Sequence, residues 1–140
     1  MAEELVELPP PFDGMRSPFD ELVGAELLRV DPDDARVRVR MREQLSQPFG
    51  LMHGGVYSTL IEGLCSLATA VAVWEDGRVT VGQGIQVSFI RPVTDGHAEV
   101  RARARHRGGT TWIWQADVVD DDERLCATAT MTMAVRPRPA

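Results

Sequence analysis

One carboxylate, Glu62, stands near the middle of the most hydrophobic stretch of this chain, "MHGGVYSTLIEGLCSLATAVAVW" at 52–74. A carboxylate in such a place can take a proton from water or attack an electrophilic carbon itself, provided that it stays ionised near neutral pH. Burial beside apolar helix neighbours is expected to raise its pKa. His53 lies nine residues earlier, directly before Gly54 and Gly55, and Gln47 lies six residues before the histidine. Paired glycines at a helix start leave backbone N–H groups uncovered and let a ligand approach closely. The partial positive charge of a helix N-terminus favours an anion there by about 0.3–1 kcal/mol. The segment therefore joins a carboxylate to a ready donor for a developing oxyanion.

A helix must hold these groups. At 100° per residue, Val56, Leu60, Leu64, Leu67 and Val71 form an apolar stripe. Ser58, Glu62, Ser66 and Thr69 form a second, narrow line with no Arg, no Asp and no second Glu. A solvent face usually carries several charges, so a pocket or a subunit seam explains this line better. Three other accounts compete: a transmembrane span, a paired structural carboxylate, and a carboxylate simply exposed to solvent. The first is opposed by the cost of a midspan Glu and by flanking segments that read as soluble strands.

The surrounding chain supplies a sheet. Ser17 and Pro18 open a short helix at 18–23, which Gly24 ends. "AELLRV" and "ARVRVRMR" read as strands, the second alternating Val37, Val39 and Met41 against Arg36, Arg38, Arg40 and Arg42. After the long helix come "VTVGQGIQVSFI", "HAEVRARAR", "TTWIWQADVV" and "RLCATATMTMAV", with turn signals between them. The pattern predicts two strands, one long helix and four strands in meander order, an α+β domain. Small residues on the inward strand faces (Gly82, Gly84, Ala102, Ala104, Ala127, Ala129) let an antiparallel sheet curl around the helix. Residues 17–136 are expected to form the single domain. Residues 1–16, acidic and rich in proline, read as a tail or a surface strap, and 137–140 as a C-terminal tail.

Composition excludes several functions. The 140 residues suit one domain, and a net charge of −6 argues against a nucleic-acid partner. The chain contains neither Lys nor Asn, so it has no lysine nucleophile and no N-glycosylation sequon. The N-terminus lacks the basic and apolar regions of a signal peptide. Cys65 and Cys126 form no CxxC pair and read as buried free thiols, which fits a reducing, cytoplasmic compartment. His97 and His106 have no ligand spacing, and the acidic run at 120–123 lacks the spacing of a calcium loop, so no metal is expected. Trp112 and Trp114 share one strand face and read as packing.

The run "QPFGLMHGGVYSTLIE" at 47–62 resembles the signature of hotdog-fold acyl-CoA thioesterases, most of all the branch acting on phenylacetyl-CoA, hydroxybenzoyl-CoA and related aryl thioesters. "VSFIRPVTDGHAEVRARARHRGG" and "LCATATMTM" extend the resemblance over nearly the whole chain from about residue 20. The resemblance implies a hotdog fold, one helix wrapped by a curved antiparallel sheet. It implies hydrolysis of an aryl-CoA or medium-chain acyl-CoA, with CoA as part of the substrate and no cofactor. By position it makes Glu62 the nucleophile or general base, Gln47 the residue that places substrate or water, and His53 the loop histidine near the thioester. It makes Gly54 the donor that polarises the carbonyl, beside Gly55, and Ser66 the holder of the attacking water. Arg91, Thr110 and Thr111 match positions that meet the nucleotide of CoA. A hotdog hydratase or dehydratase, and a non-catalytic acyl-CoA-binding protein, are the alternatives.

Helix geometry adds a constraint of its own. At ~1.5 Å per residue, positions 53 and 62 lie roughly 13 Å apart along one axis. One chain cannot close both around a single carbonyl, whereas two antiparallel copies can. A homodimer with composite sites is therefore expected, and the resemblance agrees. A tetramer, as a dimer of dimers, is the larger assembly expected.

Overall fold

The computed structural model describes residues 6–15 and 17–140. Of the segment 1–16, residues 1–5 and 16 lie outside the described residues. Helix α1 spans Pro18–Val23, with the Ser17 hydroxyl accepting from the Asp20 N–H and Gly24 closing the helix at φ 86°. Arg42 then donates to the Val23 and Leu22 carbonyls, the last acceptors of that helix. Helix α2 runs from Gly54 to Val73.

Six strands wrap α2: β1 Glu26–Asp31, β2 Asp34–Arg40, β3 Arg78–Phe89, β4 His97–Arg107, β5 Thr111–Val119 and β6 Leu125–Pro137. All are antiparallel, in the order β1-β2-β4-β5-β6-β3. This is the wrapped-helix arrangement that the family resemblance implies. It corrects the meander expected for the last four strands. Only β4, β5 and β6 follow one another, whereas β3 lies on the far edge beside β6. The segment after β3 crosses the end of the sheet instead of turning back. Ile90 and Arg91 donate to the Cys126 carbonyl, Val93 accepts from Met52, and Gly96 accepts from Met41. Alternation along a strand tells which face is buried but not which strand is its neighbour.

The two faces of the sheet differ as the alternation requires. Val37, Val39, Ala98, Val100 and Ala102 are buried against α2. The outer face carries ion pairs, among them Arg38 with Glu26 at 2.9 Å and Arg101 with Glu99 and Glu123. Such exposed pairs add little stability each. By length and composition α2 would suffice to cross a membrane, but its apolar face is buried by the sheet.

The buried face of α2 is broader than the predicted stripe. Val56, Leu60 and Leu64 are joined by Tyr57, Ile61, Cys65, Ala68 and Thr69, whereas Leu67 and Val71 are only half-buried. Thr69 thus leaves the polar line in which the spacing placed it. Its hydroxyl donates to the Cys65 carbonyl at 2.7 Å and accepts from the Trp114 indole N–H at 2.8 Å. Both side chains are fully buried, so each satisfies the other where water cannot.

Thr69→Val keeps the shape but leaves the Trp114 N–H without an acceptor. Unfolding free energy should fall by about 1–3 kcal/mol, read as a lower urea midpoint at unchanged slope. Thr69→Ser should retain most of the lost stability.

Candidate active site

The loop before α2 is built to present its first turn. Gln47 donates from its backbone to Leu51 and accepts from Gly50, and Gly50 adopts φ 84°, which closes the turn. The Gln47 side-chain oxygen accepts from the Phe49 N–H. That contact holds the amide in place and leaves its NH₂ free to donate. His53 is the N-cap, with its backbone N–H bonded to the Leu45 carbonyl.

The three N–H groups that open α2 have different fates. Gly55 donates to His53 Nδ1 at 2.8 Å, and Val56 donates to the His53 carbonyl at 3.0 Å. The Gly54 N–H has no acceptor among the described residues. It is the one donor of the first turn left for a ligand, where the helix dipole favours negative charge. Because Nδ1 accepts, the neutral imidazole carries its proton on Nε2. Side chains approach both glycines closely. A Cβ on Gly54 would lie 2.7 Å from the Phe89 ring, and one on Gly55 would lie 2.9 Å from His53 Nδ1.

A cleft of about 330 Å³ opens at this point. It is lined by Gln47, Gly54, Tyr57, Phe89 and Arg91, so three of the expected site residues share it. Tyr57 and Phe89 were not anticipated as site residues. Tyr57 lies one helical turn after Gly54, and that spacing was the available signal. Its ring meets Phe89 at 6.0 Å between centroids.

Glu62 lies elsewhere on α2. Its side chain is exposed, which corrects the expectation of a buried carboxylate. The line Ser58, Glu62, Ser66 faces β3, and β3 is an edge strand that leaves this side of the helix open. A bulge at Gln83 shifts the strand's parity, so Thr80 and Gly82 pair with buried Val135 and Met133, and Ile85 and Val87 with buried Met131 and Ala129. Carboxylate and strand meet at Gly82, where a Cβ would lie 3.0 Å from Met131 Cε and 3.3 Å from Glu62 Oε1. Any larger residue at 82 would press on the carboxylate.

Ser66, one turn beyond Glu62, lines a second cavity of about 750 Å³. Its hydroxyl has only a long contact of 3.9 Å to Met133 Sδ. Thr110 and Thr111 lie far from the Gly54 cleft along the sheet. Thr111 pairs with Ala134 and Phe89 pairs with Ala127, so seven residues of β6, roughly 23 Å, separate them. Among the described residues no cluster of metal-ligating side chains occurs. Cys65 and Cys126 are buried free thiols.

Comparison with known proteins returns one family. The sequence profile described as the thioesterase superfamily matches residues 49–127. The 1,4-dihydroxy-2-naphthoyl-CoA hydrolase of Listeria monocytogenes is 30% identical over 120 residues, 86% of this chain and 97% of that one. The proofreading thioesterase EntH of Klebsiella pneumoniae is 36% identical over 112 residues, 79% of this chain and 75% of that one. Among solved structures, a variant of thioesterase PA1618 from Pseudomonas aeruginosa superposes with a TM-score of 0.81 at 30% identity, covering 85% and 86% of the two chains.

Tyr57, the one tyrosine of the chain, reports on the cleft. Burial pushes its phenol up to about 12, helped by the Cys126 thiol and opposed by a backbone hydrogen bond at Val93. A raised folded-state pKa means that its contribution to stability is complete below pH ~10 and is lost as pH climbs towards ~12. In an alkaline titration, phenolate absorbance should therefore emerge well above pH ~10 and rise together with the loss of circular dichroism. Full ionisation near pH ~10 in the folded protein would mean that the ring is open to water.

Proposed function

This chain belongs to the thioesterase superfamily and is a thioester hydrolase of the hotdog fold, and we propose that it hydrolyses an aryl-CoA or medium-chain acyl-CoA to the free acid and CoA. The observation that carries the chemistry is the unpartnered Gly54 N–H at the start of α2, in one cleft with Gln47 and Arg91. The thioester carbonyl oxygen accepts from this N–H, and the His53 imidazole stands beside it. As the carbonyl carbon becomes tetrahedral, the charge on its oxygen grows, and a donor already aimed at that point stabilises the transition state more than the ground state. The free NH₂ of Gln47 positions the substrate or the water.

Glu62 acts on the carbonyl carbon. As a general base it takes a proton from water, the hydroxide equivalent adds to the carbon, the C–S bond breaks, and CoA leaves as the thiolate, which then gains a proton. As a nucleophile it attacks the carbonyl carbon, the C–S bond breaks and CoA leaves as the thiolate, and water then hydrolyses the mixed anhydride to the free acid and the Glu62 carboxylate. Ser66, one turn away, holds the water in either route. Arg91, exposed at the cleft, suits a phosphate of the nucleotide. Thr110 and Thr111 serve the nucleotide only from another copy, given their distance within the chain.

Gly54 and Glu62 of one chain are about 12 Å apart along α2. The carboxylate facing one Gly54 is therefore the partner subunit's Glu62. The surface supports such a partner. One edge of β3 is unpaired in the sheet, residues 81–86 are exposed, and Val81, Phe89 and Ile90 are 62%, 60% and 55% exposed. An apolar strand edge of this length is a ready pairing surface for a second copy. We read the assembly as a homodimer through β3, with a dimer of dimers as its larger form.

Glu62→Gln keeps the shape and removes the base. Thiol release from acyl-CoA should fall by at least ~10²-fold in kcat while binding persists. Full activity in this variant would remove Glu62 from the mechanism.

A mixing experiment tests the composite site. Glu62→Gln and Gln47→Ala chains, each inactive alone, form mixed dimers with one doubly damaged and one intact site. Activity per mixed dimer should approach about half that of the wild type, if the sites act independently. No recovery after demonstrated subunit exchange would mean that each chain builds its own site.

A further inference from the structure

The larger cavity lies where the sheet fails to close. β1 and β3 are the two edges of the sheet, and the side of α2 between them is covered by the segment 6–15 and by α1. Leu8, Phe12 and Met15 form its roof, and Gly63, Ser66 and Leu67 line the α2 side. At about 750 Å³ it falls within the size range of small-molecule sites. It begins beside Glu62. Glu62 and Ser66 are one turn apart on α2, and Gly82 and Thr80 are neighbours on the same face of β3. Glu62 and Gly82 meet at the carboxylate, and Ser66 and Thr80, the next residues along the same two faces, line the cavity.

Thr80 lines the cavity from the β3 side. Its Oγ1 is the one buried side-chain polar atom among the described residues without a hydrogen-bond partner.

The far end is closed by an unusual lock. Phe12 is only 6% exposed and meets the Trp74 ring edge-on at 5.5 Å. Trp74 also meets Arg138, whose guanidinium lies 4.1 Å from the ring centroid and donates to the Trp74 carbonyl at 3.2 Å. The Arg138 N–H is itself bonded to Gly77 at 2.8 Å. The two ends of the chain are thus pinned to one indole, and Phe12 is held rigidly at the end of the cavity. From Ser66 to Trp74 the helix rises about 12 Å, room for a chain or fused rings but not for a long fatty acyl group.

We propose that the acyl group lies along α2 under the N-terminal segment, and that Phe12, fixed by Trp74 and Arg138, sets the greatest acyl length that the enzyme accepts. This rests on the acyl-thioester reading of the preceding section. It makes Phe12 a specificity determinant far from the reacting carbonyl.

The test is a length profile. Wild type, Phe12→Ala, Phe12→Leu and Phe12→Trp are assayed on straight-chain acyl-CoA thioesters of increasing length. Shortening Phe12 should move the optimum to longer chains, with the long-to-short ratio of kcat/KM rising at least ~10-fold in Phe12→Ala. Phe12→Trp should move it to shorter chains. Free carboxylic acids of the same lengths, titrated by calorimetry, give a second readout that needs no catalysis. If the longest tolerated acid shifts in these directions but no thioester is cleaved by the wild type, the role of Phe12 stands and the hydrolytic reading falls. If thioesters are cleaved and all variants share the wild-type profile, or lose activity equally at every length, the proposal is overturned. Phe12→Leu and Phe12→Trp keep the test open should Phe12→Ala not fold.

Discussion

A six-stranded sheet curled around a single helix covers only part of that helix. In this protein the covered part is the row from Val56 to Val73, sealed by side chains such as Trp114 and Met131. The remaining line, Ser58, Glu62 and Ser66, runs beside the edge strand β3. The location of the chemistry follows from this incomplete wrapping. A carboxylate on the covered face would need a buried partner or would lose its charge. On the open line Glu62 keeps access to water until a ligand or another chain covers it.

The small residues near that line serve the same constraint. Gly82 leaves space for the Glu62 carboxylate, Gly54 for the Phe89 ring and Gly55 for the imidazole of its own cap. At each glycine a side chain comes close to the space where a Cβ would be. The first turn of α2 is likewise reduced to one free donor, because His53 satisfies two of its three N–H groups. Preorganisation of this kind costs nothing at the moment of reaction, since donor and dipole are aimed before substrate arrives.

The open side of the sheet also gives the chain ends a task. A segment with three consecutive prolines cannot join the β-ladder, and it lies across the gap between β1 and β3 instead. Packing of Phe12 and Arg138 on Trp74 ties that segment to the end of β6. The space beneath it is the cavity of about 750 Å³ that Leu8, Phe12 and Met15 roof.

Much of this was legible in the sequence because it depends on local pattern. The helix from Gly54 with its paired glycines, the alternating strands, and the line containing Glu62 follow from spacing alone, since side-chain direction repeats every 3.6 residues in a helix and every two in a strand. Other features depend on which distant segments meet. Strand alternation carries no record of its neighbour, so the crossing that sets β3 beside β6 came only from the fold. Thr69 has the spacing of the polar line, yet Trp114, 45 residues away, draws it into the core. Glu62 sits in an apolar sequence and is nevertheless exposed, because its surroundings are set by the edge of a sheet and not by its neighbours along the chain. The sequence by itself determined which groups stand on which face of each element. The tertiary structure decided which faces are covered, because burial is a property of contacts between elements that are far apart in the chain.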